Sequence, residues 1–474
     1  MDKVGLEYLT LSRLSRTLSG GEAQRVNLAC QLGSALTETL YILDEPSIGL
    51  HPRDISRLTL LIGELRDRAN TVVLVGHDFE MIKSADHVIE LGPKAGEKGG
   101  EVIFQGSVRK LLGNSHSSLT RRYLTGDEYI PVPVKRRKGS GKSLRITDAA
   151  ENNLKNIDVA IPLRTFTCIT GVSGSGKSSL VNDVLYAALA RKFHNEVERV
   201  GAFGEIQGTQ HLSDVVMLDQ NPIGKSLRSN PVTYIKAYDE IRKALAGVWK
   251  ARSLGFTPSY FSFNVPGGRC ETCKGEGRQK IEMYFLADIY VTCEDCDGER
   301  FKKDVLSVKY KNKNVNEILD LTVTEAINFF YETPSVGRKL KILQDVGLGY
   351  LRLGQPAPTF SGGEAQRIKI ARELGRKGGS DILYVLDEPT VGLHAEDVKK
   401  LLDVINRLVM AGNTVLVVEH NLDVIKCADH VIDLGPEGGA LGGEIVAQGS
   451  PEDIAACRNS HTGRYLKPLL SQVR

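Results

Sequence analysis

The apolar residues of this chain fall into short runs, each cut off by a glycine, a carboxylate or a histidine. "TFTCIT" at residues 165–170 is β-rich and of strand length; past a glycine loop, Leu180, Val181, Val184, Leu185, Ala188 and Leu189 recur at helical spacing. "DILYVLDEP" at 381–389 predicts a short apolar strand that runs into two carboxylates and stops at a proline. "TVLVVEH" at 414–420 predicts a second buried strand, closed by His420. "GEAQRIKIAREL" sets Ile368, Ile370, Ala371 and Leu374 on a helix behind Ser361 and Gly362, and "KIEMYFLADIYV" at 280–291 alternates enough for a hairpin.

Much of this pattern is written twice. "LSGGEAQRV" from Leu18 recurs as "FSGGEAQRI" from Phe360, an offset of 342 (360 − 18). "YILDEPSIGLH", "TVVLVGHD", "ADHVIELGP" and "GGEVIFQGS" recur as "YVLDEPTVGLH", "TVLVVEHN", "ADHVIDLGP" and "GGEIVAQGS", all offset by 343 (387 − 44 for the aspartates). A period held over so long a stretch indicates a duplicated domain. Between the copies, residues 125–143 combine prolines, glycines and the cations Lys135, Arg136, Arg137 and Lys138, which reads as a solvated tether or as a phosphate contact.

At 474 residues and 41% hydrophobic composition the chain can bury two or three domains' worth of core. A net charge of +3 is too mild to identify a nucleic-acid binder by itself. No apolar run reaches the length of a membrane span and the opening "MDKVGLEYLTLSR" is no signal peptide, so the pattern predicts a soluble cytoplasmic protein.

"GVSGSGKSSL" fits the phosphate-cradling pattern GxxxxGK[ST], set between a predicted strand and a predicted helix. Glycines let backbone N–H groups turn inward and the helix N-terminus favours an anion. Lys177 is expected at the β- and γ-phosphates of ATP, with Ser178 and Asp387 holding Mg²⁺. Glu388 is expected to orient or deprotonate the attacking water and His420 to sense the γ-phosphate. The Ser-Gly-Gly phrases open helices whose free N–H groups can face an anion. In combination these features resemble ABC-type ATPases, in which one module's P-loop faces the signature of another. That resemblance implies an α/β fold: doubly wound P-loop ATPase cores with a helical signature lobe.

Cys270, Cys273, Cys293 and Cys296 have the spacing C-x₂-C-x₁₉-C-x₂-C, suited to a structural Zn²⁺ site with no open position. Arg269, Lys274, Arg278 and Lys280 ring its base beside Tyr284 and Phe285; they suit DNA contact, or they offset the charge of four thiolates.

The cysteine quartet inserted between P-loop and second signature, with "FSFNVPGGRC", "DQNPIGKSLRSNPVTY" and "SHTGRYL", closely resembles the UvrA family, the damage-recognising subunits of a bacterial excision nuclease. The resemblance implies a dimeric, ATP-dependent protein that binds damaged duplex DNA and engages UvrB. It places the nucleotide at Gly171, Val172, Ser173, Gly174, Ser175, Gly176, Lys177, Ser178, Ser179, Gln220 and Asp387, and DNA at Lys225, Arg228 and Ser229. It also divides the chain into the later part of a first module (1–124), a linker (125–143) and a second module (144–474) with a signature and zinc insertion at 205–345.

The family carries a first P-loop, another zinc module and a UvrB-docking domain ahead of the first signature, whereas 17 residues precede it here. Asp44, Glu45 and His77 therefore have no P-loop of their own in this sequence, and the expectation is a truncated protein or a fragment. A UvrA-like ATPase outside repair, in resistance or regulation, and a non-functional remnant are the alternatives. Head-to-tail pairing of modules makes Ser19, Gly20 and Gly21 the partners of the P-loop at 171–178.

Overall fold

The computed structural model describes residues 4–15, 20–33, 36–94, 96, 99–113, 118–195, 199–224, 226–281, 283, 289–376 and 379–471. The chain divides into two compact units. One comprises residues 1–94, 98–219 and 378–474; the other comprises 95–97 and 220–377.

In the first unit the early repeat supplies β1 (Leu40–Asp44), β2 (Thr71–Val75), β3 (Val88–Gly92) and β4 (Glu101–Gly106), with α1 (Gly20–Gly33) and α2 (Pro52–Asp67). The second module supplies β5 (Ser143–Ala149), β6 (Ile157–Pro162), β7 (Phe166–Gly171), β8 (Ile206–Gln207), β9 (Asp214–Leu218), β12 (Ile382–Asp387), β13 (Thr414–Val418), β14 (His430–Gly435) and β15 (Glu444–Gly449). In the second unit, β10 (Arg278–Ile281) and β11 (Ile289–Thr292) form the predicted antiparallel hairpin.

A six-stranded sheet in the order β15-β14-β7-β13-β12-β9 forms the frame of the second module. Its strands are parallel except for the β14–β15 pair. Every residue of β7 and β13 is buried, which is why "FTCITG" and "TVLVV" read as continuous apolar runs rather than alternating ones. Leu180, Val184 and Leu185 pack on this sheet with Ile169, Leu416 and Val418. The helix that carries them opens as a π-helix over Ser179–Tyr186 before continuing over Ala187–His194. A further sheet, β6-β5-β8, completes the module.

The early repeat follows the same plan with a gap. β1 pairs with β2 and β3 with β4, as β12 does with β13 and β14 with β15, but these are two separate two-stranded sheets among the described residues. In the second module β7 stands between β13 and β14; the early repeat has no counterpart to it among the described residues. Side-chain exposure differs as well: Ile42 is 67% exposed and Ile89 60%, whereas their counterparts Val385 and Ile432, in one cluster with Leu180, Val184 and Leu185, are both at 0%. α2 still buries Ile55, Leu58, Leu61, Ile62 and Leu65, forming a small core with Leu6, Leu28 and Tyr41.

The basic segment between the repeats is not a free tether. Arg136 donates to Ala428 O at 2.9 Å, and Arg137 pairs with the buried Asp429 at 3.0 Å. Asp429 also accepts from the N–H of Phe166, so the cations close a network at the start of β7. Among the described residues no helix is long and apolar enough to cross a membrane.

Candidate functional site

The P-loop emerges from the C-terminal end of β7; its neighbour β13 and, beyond that, β12 carry the other groups to the same edge. β12 ends at Asp387, and Asn182, one turn into the π-helix, donates to Asp387 Oδ2 at 3.5 Å. His420 stands two residues past β13, with Nε2 3.9 Å from Glu388 Oε1. Glu388 sits in the left-handed region at φ 43°, a sparsely populated conformation for a residue with a side chain. Its N–H donates to Val418 O at 3.0 Å, which ties it to the end of β13.

Lys177 is buried and donates to the carbonyls of Gly171 and Val172 at 3.1 and 2.9 Å. Burial pushes its ammonium down to about 8, against the pull of Glu388, Asp54, Asp433 and Asp387. Burial likewise pushes Glu388 up to about 7, helped by Asp387 and Glu419 and opposed by Lys177. Within this cluster the buried Ser175 Oγ and His420 Nδ1 have no hydrogen-bond partner among the described residues. A loop with an orphaned hydroxyl, a buried ammonium and two carboxylates at its mouth has the donor set for a polyphosphate and a divalent cation.

The early repeat reaches into this site. Asp54, near the start of α2, accepts from Ser173 Oγ at 3.0 Å. A Cβ at Gly174 would fall 2.7 Å from Tyr8 Cδ2, so the Tyr8 ring lies directly against the loop, where φ is +74° and only glycine fits well. Tyr8 in turn donates to Glu22 Oε1 at 2.7 Å, in the first turn of α1. The structure thus links the helix opened by the first Ser-Gly-Gly phrase to the P-loop of the second module. Gly20 and Gly21 begin that helix; Ser19 lies outside the described residues. Gly49 approaches from the same repeat, and a Cβ there would sit 3.0 Å from Glu388 Oε2.

His51, wholly buried, brings a further group of the early repeat beside His420, their ring centroids 6.1 Å apart and edge to face. Its protonation follows from its partners. The N–H of Arg53 donates to Nδ1 at 3.2 Å, so the proton sits on Nε2 and is donated to Thr462 Oγ1 at 3.1 Å. The Thr462 hydroxyl donates in turn to Asp433 Oδ1 at 3.0 Å. Burial, with Lys177, Arg53 and His461 nearby, pushes His51 down to about 3; burial and Lys177 also hold His420 well below the usual histidine range.

The second unit holds the other candidate residues. The four Sγ atoms of Cys270, Cys273, Cys293 and Cys296 all lie within 4.8 Å of one another, and all four residues are buried. Cys270 and Cys293 sulfurs are 4.0 Å apart, and those of Cys273 and Cys296 3.7 Å. Thiolates around a tetrahedral zinc at about 2.3 Å stand about 3.8 Å from one another, so the cluster fits that ion. Both glycines that follow the CxxC pairs turn left-handed, Gly275 at φ 83° and Gly298 at φ 80°.

The Ser361 hydroxyl and Glu364 carboxylate form a capping box at the helix Gly362–Leu374, so the second signature's first turn is already partly satisfied. Gln220 packs on that helix start; a Cβ at Gly362 would fall 3.1 Å from Gln220 Oε1. Arg228 turns toward Ser226 and Glu276 at 3.3 and 3.5 Å, and the Ser229 carbonyl accepts from the N–H of Ala357 at 2.7 Å. Lys225, Tyr284 and Phe285 lie outside the described residues.

The motifs did not point to Tyr8, Asp54, Asn182, Glu419 or Thr462. Tyr8 and Asp54 do carry a signal in the sequence, because both recur in the repeat, as Tyr350 and Asp397.

Comparison with known proteins follows this geometry. The chain is 58% identical over 469 residues to UvrABC system protein A of Aquifex aeolicus, covering 99% of this chain and 50% of that protein. It is 56% identical over 471 residues to the protein of the same name from Methanothermobacter thermautotrophicus, covering 99% and 49%. Among solved structures, UvrA2 from Deinococcus radiodurans superposes with a TM-score of 0.92 at 44% identity, covering 98% of this chain and 56% of that one. No protein-family model matches. The chain spans about half the length of the curated relatives it matches.

Buried neutral histidines carry a pH dependence of known sign. His51 and His420 titrate near 6.5 when unfolded and far lower when folded, so their contribution is complete above about pH 6.5 and is lost as pH falls below it. Thermal unfolding followed from pH 7.5 to 5.0 should show a falling Tm, and the fall should shrink in H51N. An unchanged pH slope in that variant would contradict the neutral assignment.

Proposed function

Because the chain belongs to the UvrA family, we propose that it is an ATP-dependent DNA-binding protein of nucleotide excision repair that recognises damaged duplex DNA. The observation that supports the reading is the linkage of Gly174 through Tyr8 to Glu22, which brings the helix of the first signature to the phosphate loop of the other repeat. Its protein partners in this reading are a second copy of the chain and, in the full-length family, UvrB.

In the proposed site, residues 171–179 wrap the triphosphate and Lys177 exchanges its two carbonyl partners for phosphate oxygens, which bring opposite charge to the ammonium. Ser178 and Asp387 hold Mg²⁺, which when bound offsets charge on the phosphates. Glu388 orients or deprotonates water, His420 contacts the γ-phosphate, and Gln220 serves as the loop residue between core and insertion. Ser19, Gly20 and Gly21 close the site from the other repeat through helix N-terminal N–H groups. The composite site reopens on hydrolysis and so biases the DNA-bound state through differential affinity. Zn²⁺ on the four cysteines is structural, and Lys225, Arg228 and Ser229 belong to the DNA-facing surface.

Three outcomes follow. Lys177→Ala and Gly20→Val should both reduce ATP turnover by about 100-fold or more, while Gly362→Val reduces it far less; equal losses at Gly20 and Gly362 would contradict the composite site. At matched salt a lesion-bearing duplex should bind more tightly than an intact one, and equal affinity would contradict a role in repair. Metal analysis should return about one zinc per chain, falling in Cys273→Ser; a value near zero for the unmutated protein would sink the assignment.

A further inference from the structure

One buried carboxylate at the edge of the nucleotide site has no part in the reading above. Glu419 lies between the last residue of β13 and His420, and is 3% exposed. One of its oxygens accepts from the backbone N–H of Thr390 at 3.0 Å and from the Thr390 hydroxyl at 2.5 Å. The other accepts from the N–H of His420 at 2.8 Å and of Asn421 at 2.9 Å. A charge buried this deeply is costly, and these donors are all neutral, so the group is an expensive way to finish a strand.

A plain strand-end cap needs only the His420 and Asn421 contacts. The Thr390 arm does something else: it reaches across to the loop that follows Glu388. Glu388 is itself tied to Val418, the residue before Glu419, and is held at φ 43°. Glu388, Pro389, Thr390, Glu419 and Val418 therefore form a closed ring of covalent and hydrogen bonds, and His420 hangs from the same carboxylate. Moving either loop alone breaks a contact in the ring.

The duplication supplies an internal control. At the position equivalent to Glu419 (419 − 343) the early repeat has Gly76, and Ser47 stands for Thr390. Glycine has no side chain with which to join the two loops. His77, the counterpart of His420, has a side chain 46% exposed against 7%.

We propose that Glu419 is a positioning residue for ATP hydrolysis, a clamp that holds Glu388 and His420 in one fixed relation and is built into the second module's site only. The proposal rests on the roles given to Glu388 and His420 above. It places Glu419 in contact with neither nucleotide nor water; its effect passes through the two groups it holds.

Steady-state ATP turnover and the affinity for a fluorescent ATP analogue, measured on the whole chain, test this. In Glu419→Gln the amide NH₂ meets donors instead of accepting from them. Turnover should fall at least about tenfold while analogue affinity stays within about twofold. Thr390→Val removes the hydroxyl arm and keeps the N–H, so turnover should fall several-fold, whereas Thr390→Ser keeps the hydroxyl and should stay within about twofold of the parent. Because the clamp acts partly through His420, the loss in the double variant E419Q/H420A should be clearly smaller than the product of the two single losses. Parent-level turnover in E419Q would overturn the clamp, as would losses that multiply in the double variant or a loss of affinity and Tm that tracks the loss of turnover. A parent chain no faster than Lys177→Ala would instead overturn the reading of the site itself.

Discussion

The structure turns on one close approach, that of the Tyr8 ring to the backbone of Gly174. A phosphate loop is a run of backbone with few side chains, so little on it can hold another element in register. Here the glycine that frees the loop also leaves room for an aromatic face from the other repeat, with Glu22 and Arg25 on the ring's hydroxyl and Asp54 on the neighbouring Ser173. Those contacts place α1 and α2, elements of a repeat without a P-loop among the described residues, against the loop of the second.

Electrostatics at the site follow from that closeness. Lys177, buried by both repeats, is surrounded by Glu388, Asp54, Asp433 and Asp387, one of them from the early repeat. With the ammonium and Arg53 already present, a protonated imidazole would be a further buried cation. Burial and those cations keep the imidazole neutral, and the Arg53 N–H at Nδ1 leaves its one proton on Nε2, facing Thr462. A neutral histidine still keeps one N–H donor, and it adds no permanent charge.

Motifs that are contiguous were legible in the sequence, because their chemistry needs neighbours in the chain. The P-loop, the Asp387 and Glu388 pair, His420 and the four cysteines stand where periodicity and spacing put them, and the hairpin between the cysteine pairs is present as β10 and β11. What stayed hidden is held by contacts across the chain: Thr462 reaches His51 from 411 positions away, and Arg137 reaches Asp429 from 292. A basic run gives no sign that a buried aspartate waits for it. Nor does apolar alternation distinguish Ile42, exposed on a two-stranded sheet, from Val385, buried within a six-stranded one. Glu419 was invisible for a different reason: as one letter before a histidine it has no pattern, and only its four donors mark it.

The central claim is that the second module's P-loop and the first signature form one site within one chain. Vanadate trapped with Mg-ATP cuts the backbone nearest the γ-phosphate position under ultraviolet light, and the cut fragments can be sized. The account predicts cuts at residues 173–177 and at 19–21, in a ratio independent of protein concentration. Cuts at 173–177 accompanied by cuts at 361–363, with none at 19–21, would contradict it.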